Sequence, residues 1–303
     1  MRAIMLGFMA ACIVFADDGS FTSNGLELHY KTAGTGTPIV ILSGGPGLEV
    51  DYMIPAAEPI STTFQKIFLE QRGTGRSRPS ELTKENLTLK LLIEDVEALR
   101  LHLKQERLII LAHSWGGMYA MAYAAAHPDR IERMILIDSG GPSLAFGQWF
   151  ADNVESRLRP EDVDARDAGT EAERTATTQA ARDAAALRVS AALMPGYFFD
   201  RAKAIEFAKS FKEGSLHRDM GAVLSADLAT HYNPGPGLMK LERPVLIIHS
   251  HQDPMGDKTA EDIHALIGSS SIRYLNRCGH FPWIEQPKAY GQMVQQFLGI
   301  YVQ

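Results

Sequence analysis

The sequence predicts an α/β fold in which a mostly parallel sheet is covered by helices on both faces and interrupted by an inserted helical segment. Three observations support this prediction. Short apolar runs alternate with segments of helical periodicity along most of the chain. The apolar run 108–112 stops just before Ser114, and the helix-forming segment 118–126 follows at once. No strand-like run occurs in residues 143–237.

The first half of the chain supplies the predicted strands on one side of the sheet. Residues 26–30 alternate apolar and polar side chains, which is typical of an antiparallel edge strand. The continuous apolar runs 39–42 and 66–69 predict buried strands. Apolar residues at helical spacing predict an amphipathic helix over residues 88–104, which leads into the strand before Ser114.

The second half completes the sheet after the inserted segment. Residues 133–137 predict another buried strand. Residues 143–237 are rich in Ala, Arg, Asp and Glu and predict helices. Strands resume at 245–249 and 272–275, and a helix over 287–298 closes the chain. We therefore divide the mature chain into a core of residues 17–142 and 238–303 and a helical cap of residues 143–237.

The N-terminal residues 1–16 are typical of a signal peptide. Arg2 precedes an apolar stretch, and small residues near Ala16 precede two aspartates. This pattern predicts export to the periplasm or the medium, whereas retention of the segment would leave the protein in the cytoplasm. Cys12 lies in a loose match to a lipoprotein cleavage box, so lipid anchoring is an alternative.

Composition excludes several classes of protein. The chain has 303 residues, of which 45% are hydrophobic and 22% charged, and no stretch of about 18 apolar residues predicts a membrane-spanning helix. The net charge of −6 and the lack of a basic tract argue against a nucleic-acid partner. Removal of the signal would leave Cys278 without a second cysteine, so no disulfide is expected.

Ser114 is the candidate nucleophile. A serine on a sharp turn between a buried strand and a helix is exposed above the sheet, provided that small residues flank it at two positions before and after. Ala112 and Gly116 occupy those positions, and glycine is more usual at the first of them.

Activation of a serine requires a histidine to take its proton and a carboxylate to orient that histidine. Asp253 follows the strand 245–249 and His280 follows the strand 272–275, so that acid and base both lie at predicted strand ends. The chain order Ser114, Asp253, His280 matches the order expected when a serine turn of this type comes first.

Four neighbouring residues are weaker candidates for these roles. Asp257 is a second carboxylate in the same loop as Asp253, but it lies farther from the strand end. His249 and His251 belong to the strand end that carries the acid and are expected to be polar loop residues. His113 precedes the nucleophile and is expected to have a structural role.

Acyl transfer also requires N–H donors for the developing oxyanion. The backbone N–H of Trp115 is one candidate, and that of Gly45, next to Gly44 in the glycine-rich loop after residue 42, is the other. The chain lacks the phosphate-binding pattern of a P-loop and the His or Cys spacings of common metal sites. We expect neither a metal nor a cofactor.

These motifs together resemble the α/β-hydrolase superfamily, and most closely its proline iminopeptidase (prolyl aminopeptidase) branch. The resemblance rests on the glycine loop 44–47, on residues 70–77, on residues 113–117, and on the segments that contain Asp253 and His280. It implies the α/β-hydrolase fold, the triad Ser114, Asp253 and His280, and an oxyanion hole at Gly45 and Trp115. The chain departs from the family pattern at Ser43, where histidine is usual, at Ala112, and at Glu70, where aspartate is frequent.

The resemblance further implies that carboxylates of the cap hold the free α-amino group of a substrate, because a buried ammonium without a partner is unfavourable. The cap offers several carboxylates, and the sequence does not select among them: Glu155, Asp200, Glu206 and Glu213. Its aromatic and methionine side chains can either line an apolar pocket or pack the cap helices together: Trp149, Phe150, Met194, Tyr197 and Phe198.

The expected function is therefore that of a metal-independent serine hydrolase. Ser114 would form an acyl-enzyme with a small amide or ester, in the first place at an N-terminal prolyl peptide bond. A carboxylic ester hydrolase with a small acyl pocket is the alternative within the same chemistry. A small-ligand binding module on a hydrolase fold is the alternative from another class. The expected partner is a small-molecule or short-peptide substrate, and the oligomeric state is left open.

Overall fold

A computed structural model describes residues 17–212 and 214–300, which form one eight-stranded sheet with helices on both faces. The strand order is β1-β2-β4-β3-β5-β6-β7-β8. β1 and β2 are antiparallel to their neighbours, and the pairs from β4 through β8 are parallel. The strands are β1 (Asp17–Ser23), β2 (Leu26–Ala33), β3 (Thr37–Leu42), β4 (Phe64–Leu69), β5 (Leu108–His113), β6 (Ile131–Ile137), β7 (Val245–Ser250) and β8 (Ser270–Leu275).

Helices connect the parallel strands and fill the inserted segment. Six of them lie between β6 and β7, within residues 147–238, and the others follow the strands of the sheet. The helices are α1 (Leu89–His102), α2 (Trp115–Ala126), α3 (Gly147–Glu155), α4 (Pro160–Thr175), α5 (Gln179–Tyr197), α6 (Arg201–Ala208), α7 (Arg218–His231), α8 (Gly235–Leu238), α9 (Asp257–Leu266), α10 (Pro282–Glu285) and α11 (Pro287–Leu298).

The sheet separates two hydrophobic cores. In β3, Val40 and Leu42 point into the core shared with α1, α2 and α9, whereas Ile39 and Ile41 point into the core shared with α11. All four of these side chains are fully buried, which explains why the strand has a continuous apolar run instead of an alternating one. Because β3, β5, β6, β7 and β8 are parallel, their carboxyl ends meet at one edge of the sheet, where the predicted site residues lie.

The predicted fold class is confirmed, with two differences of extent. β1 was not expected, because the sequence Asp17–Ser23 has little apolar alternation; it pairs along its whole length with β2 at the edge of the sheet. The helix predicted at 118–126 begins at Trp115, directly after Ser114. The predicted signal peptide, Cys12 and Glu213 lie outside the described residues. Within the described ranges, no helix is long and apolar enough to cross a membrane.

Candidate functional site

Ser114 lies on a strained turn between β5 and α2. Its backbone has φ 57° and ψ −122°, a conformation that residues other than glycine rarely adopt. The turn is held by hydrogen bonds from Ser114 N–H to the carbonyl of Ile137 (3.1 Å) and from Gly140 N–H to the carbonyl of Ser114 (3.2 Å). A methyl group at Gly116 would overlap the carbonyl oxygens of β3, whereas Ala112 fits, fully buried, beneath the turn.

The structure brings His280 and Asp253 together. His280 Nδ1 lies 2.7 Å from Asp253 Oδ2, and both side chains are almost completely buried. The other oxygen of Asp253 accepts a hydrogen bond from Met255 N–H (2.7 Å). Asp257, the competing carboxylate, is 41% exposed and lies 2.8 Å from His251. Because His280 Nδ1 faces Asp253, Nε2 is the nitrogen available to a reacting group.

The loop that carries His280 is fixed against the end of α5. His280 N–H donates to the carbonyl of Tyr197 (2.7 Å), and a methyl group at Gly279 would overlap that carbonyl oxygen. The buried Glu285 accepts from Gly279 N–H (2.6 Å) and from Asp200 N–H (2.7 Å). The inserted segment therefore contributes directly to the position of the histidine.

Burial shifts the pKa values of the groups in this cluster. It lowers the pKa of His280 to about 3, so that the imidazole is neutral and able to accept a proton. Burial also raises the pKa of Asp253 to about 7, while the Met255 N–H, a hydrogen bond from Asp138 and the Arg157 charge oppose the rise. Asp138 is fully buried at the end of β6, and burial together with the negative charge of Asp253 holds its pKa well above the usual range. Of the two carboxyl groups, Asp138 is therefore the one that binds a proton more readily.

The glycine-rich loop after β3 lies against Ser114. A Cβ atom at Gly44 would be 3.0 Å from the Cβ atom of Ser114. Gln71 holds the start of this loop, because its amide nitrogen donates to the carbonyl (2.7 Å) and the hydroxyl (2.9 Å) of Ser43. Within residues 17–212 and 214–300, the N–H groups of Gly45 and Trp115 have no protein acceptor. Both predicted oxyanion donors are thus available to a ligand.

The three other histidines of the region do not contact Asp253. His251 stacks on Tyr274 with ring centroids 4.7 Å apart, and the buried His249 lies 3.4 Å from Asp257. His113 is buried under the serine turn, where its two nitrogens lie near Tyr52 and the backbone of His280.

Asp138, His249 and Asp253 are close enough to suggest a metal site, since one ligand atom of each lies within 4.8 Å of the others. The carboxylates already have protein partners, however. Asp138 accepts from Ser250 N–H (2.7 Å) and its hydroxyl (3.0 Å), while Asp253 faces His280 and the Met255 N–H. These bonds use the oxygens that a cation would need, so the arrangement fits a proton-sharing cluster better than a metal centre.

Ser114, Trp115, Gly45 and His280 line one cleft of about 1290 Å³ between the sheet edge and the inserted segment. Of the aromatic and methionine candidates, Phe150, Met194 and Tyr197 line this cleft, whereas Trp149 donates to the carbonyl of Met255 and Phe198 stacks on Phe281. The apolar part of the wall is formed by Met118, Leu144, Phe146, Phe150, Met194 and Tyr197.

Of the four cap carboxylates named from the sequence, the three that the structure describes do not line the cleft. Glu155 pairs with Arg166, Asp200 caps α6, and Glu206 pairs with Lys209. These three face away because they serve the helices that carry them, a role that periodicity does not distinguish from ligand binding. The cleft is instead lined by Glu81, Glu173, Asp183 and Asp219.

Two of the cleft carboxylates are already neutralised. Glu173 pairs with Arg218 at 2.8 Å, and Asp219 pairs with Arg78. Glu81 and Asp183 have no ion-pair partner among residues 17–212 and 214–300. The rim of the cleft therefore carries both signs of charge, with two carboxylates free to meet a cationic group.

Three residues that hold the site together were missed by sequence reasoning: Tyr52, Asp138 and Glu285. Each has at least one partner that is distant in the chain, as with Glu285 and Asp200, which are 85 residues apart. Asp138 carried a usable signal, since it directly follows a buried strand that neighbours the acid-bearing strand.

An eight-stranded, mostly parallel sheet with a serine turn after β5 and a buried acid–histidine pair after β7 and β8 defines a hydrolase of the α/β class. The family model for the alpha/beta hydrolase fold matches residues 37–287, and the chain belongs to that family. It is similar to the proline iminopeptidase of Lactobacillus helveticus, with 25% identity over 93% of this chain and 97% of the relative.

Solved structures show the same fold at low sequence identity. A hydrolase of the alpha/beta fold family from Bacillus anthracis superimposes with a TM-score of 0.73 at 18% identity, covering 93% of this chain and 99% of the other. A thermophilic esterase from Thermogutta terrifontis gives a TM-score of 0.67 at 21% identity, with 94% and 98% coverage. The fold and the hydrolase class agree with the sequence-based prediction.

Proposed function

We propose that the protein is a serine hydrolase that forms an acyl-enzyme at Ser114 with a small ester or amide. The observation that carries this proposal is the His280–Asp253 hydrogen bond of 2.7 Å, beside a strained serine that opens into the same cleft. His280 Nε2 would take the proton of the Ser114 hydroxyl as its oxygen attacks the substrate carbonyl. The imidazolium would then give the proton to the leaving group, and water would release the acid by the reverse route.

The free N–H groups of Gly45 and Trp115 support this role. Both donors line the cleft beside Ser114, and the Trp115 N–H is at the start of α2, where the helix dipole favours negative charge. Such donors stabilise a tetrahedral oxyanion, and one of them is worth about 10²-fold or more in kcat.

The wall of the cleft favours a substrate with an apolar acyl group. Phe150, Met194 and Tyr197 lie beside the reacting centre, with the Tyr197 ring 5.4 Å from that of His280. A neutral acyl ester or amide would bury its apolar surface there without leaving a charge unpaired.

An N-terminal prolyl peptide is the second candidate substrate. The relative from Lactobacillus helveticus that matches 93% of this chain is a proline iminopeptidase, and the two unpaired carboxylates of the cleft, Glu81 and Asp183, offer a partner for an α-amino group. If the protein acts on such peptides, it should prefer a substrate with a free, cationic amino group over the N-acylated form of the same substrate.

One set of initial-rate measurements tests the proposal. A prolyl aryl amide with a free amine, its N-acylated form and a short-chain aryl ester are compared with wild type and Ser114→Ala, and covalent labelling by a fluorophosphonate is measured in parallel. We expect labelling of wild type and loss of at least about 10⁴-fold in kcat in the variant. Preference for the free amine would identify an aminopeptidase, and turnover of the ester alone an esterase. A labelled Ser114→Ala protein, or an unlabelled and inactive wild type, would overturn the proposal, the latter in favour of a binding module.

A further inference from the structure

The glycine loop and the loop that carries His280 are connected by two residues to which sequence reasoning assigned no chemistry. Tyr52, in the turn Val50–Met53, accepts a hydrogen bond from Gly44 N–H at 2.5 Å. The Tyr52 oxygen lies 2.8 Å from His113 Nδ1, and His113 Nε2 lies 2.8 Å from the carbonyl oxygen of His280. The path joins residues that are far apart in the chain.

The direction of each hydrogen bond follows from the groups at the ends of the path. The His280 carbonyl can only accept, so His113 Nε2 carries the proton and Nδ1 is the acceptor. Tyr52 O–H therefore donates to Nδ1 and accepts from the Gly44 amide. Burial holds the pKa of His113 well below its usual value and raises that of Tyr52, so both remain neutral and the order of donors is fixed.

We propose that Tyr52 and His113 are positioning residues that fix the glycine loop relative to the backbone of His280. This inference rests on the proposed function. Tyr52 uses the Gly44 N–H and so leaves the next amide, that of Gly45, as the donor that faces the cleft. His113 holds the His280 carbonyl from below, while the Tyr197 carbonyl holds the His280 N–H from the inserted segment.

Aromatic packing limits the other positions that the two side chains can take. The centroid of the His113 ring lies 4.5 Å from that of His280 and 4.9 Å from that of Trp283. The centroid of the Tyr52 ring lies 6.3 Å from that of Phe281. Tyr52→Phe would keep these ring contacts and remove the hydroxyl. The Gly44 amide would then lose its acceptor, and the glycine loop would be free to shift by a fraction of an ångström.

Because an oxyanion donor acts mainly in the transition state, this shift should lower kcat more than it raises KM. We expect Tyr52→Phe to reduce kcat by about 10-fold to 100-fold with KM changed less than about threefold. The second-order rate of fluorophosphonate labelling, which also needs the oxyanion donors, should fall by a similar factor.

Tyr290→Phe is the matched control. It removes a buried hydroxyl that donates to the carbonyl of Ala56 at 2.7 Å, outside the path. Both variants should lose a comparable amount of thermal stability, yet the control should keep the wild-type kcat and labelling rate. Equal labelling rates for wild type and Tyr52→Phe would overturn the inference, and so would an equal loss of kcat in both variants. An unlabelled wild type would instead contradict the proposed function.

His113→Asn provides a second variant. Its amide oxygen can replace Nδ1 as the acceptor for Tyr52, but its side chain is too short to reach the His280 carbonyl. If the two residues act as one unit, the double variant should lose about as much kcat as the worse single variant. Losses that multiply would show two independent effects and contradict a single path.

Discussion

The raised pKa values of Asp253 and Asp138 lead to a prediction about the pH dependence of activity. Asp253 must be ionised to stabilise the imidazolium of His280, and its pKa is raised to about 7. The ionised form is gained as the pH rises through that value, so kcat/KM should fall on the acid side of about pH 7. The pKa of His280 is lowered to about 3, and the neutral imidazole is present throughout this range. The acid limb therefore reports the carboxyl cluster that contains Asp253 and Asp138.

The variants Asp138→Asn and Asp138→Leu distinguish a neutral, protonated Asp138 from an ionised one. If Asp138 is protonated, the asparagine amide can donate to Asp253 in its place and accept from Ser250 N–H, so the acid limb should move by less than about half a pKa unit. Leucine removes the hydrogen-bond donor to Asp253, so the acid limb of the pH profile should move to higher pH by about one unit. It also leaves the Ser250 N–H without its acceptor, which should cost about 1–3 kcal/mol in the free energy of unfolding.

An ionised Asp138 would give the opposite result. A negative charge within 4.8 Å of Asp253 would raise the pKa of Asp253 by about 2.5 units, from about 3.5 kcal/mol at an effective dielectric constant of about 20. Asp138→Asn would then lower the acid limb by about that amount. The assay is kcat/KM against pH for the best substrate, with the rate of fluorophosphonate labelling as a second readout. A downward shift of the acid limb by more than about one pH unit in Asp138→Asn would show that Asp138 is ionised and contradict the prediction.

Two other variants test the assignment of the acid and the support of the base. Asp253→Asn should lower kcat by about 10⁴-fold because it imposes the wrong histidine tautomer, whereas Asp257→Asn should change kcat by a few-fold at most, and equal losses in initial-rate assays would contradict our choice of acid. Gly279→Ala should lower the unfolding free energy by about 1–3 kcal/mol and reduce kcat, because the added methyl group overlaps a backbone carbonyl. The matched change Gly268→Ala, where nothing lies within 4 Å of the new methyl group, should leave both thermal denaturation and kcat unchanged.

Most of the sheet could be predicted from the sequence because its strands are buried on both faces. Continuous apolar runs such as those of β5 and β7 are typical of that environment, and the structure extends these two predicted strands by only one residue at the carboxyl end. The edge strand β1 has no such run, since only Phe21 among its described side chains belongs to a hydrophobic core. β1 is a strand because its backbone pairs with β2, and this pairing is not visible in the pattern of its side chains.

The candidate site also contains residues that the sequence could identify and residues that it could not. Ser114, Asp253 and His280 could be proposed because chain order and strand ends place them at one edge of a parallel sheet. The cleft carboxylates could not be selected, since Asp183 on α5 and Asp200 at the start of α6 are both at least partly exposed residues of the inserted segment. Which helix face meets the cleft depends on packing between helices rather than on periodicity along one of them.

The side chain of Ser43, where the sequence resemblance led us to expect histidine, supports the start of the glycine loop. The Ser43 hydroxyl donates to the carbonyl of Leu48 across the loop at 3.0 Å and accepts from Gln71, whose amide also holds the Ser43 carbonyl. Gln71 accepts in turn from the indole N–H of Trp115 at 3.1 Å. One glutamine thus joins the loop that carries Gly45 to Trp115, the two residues proposed to supply the oxyanion donors. Since both proposed donors are backbone amides, their separation depends on the hydrogen bonds that hold the two backbone segments. A side chain at position 43 is suitable if it can make these hydrogen bonds.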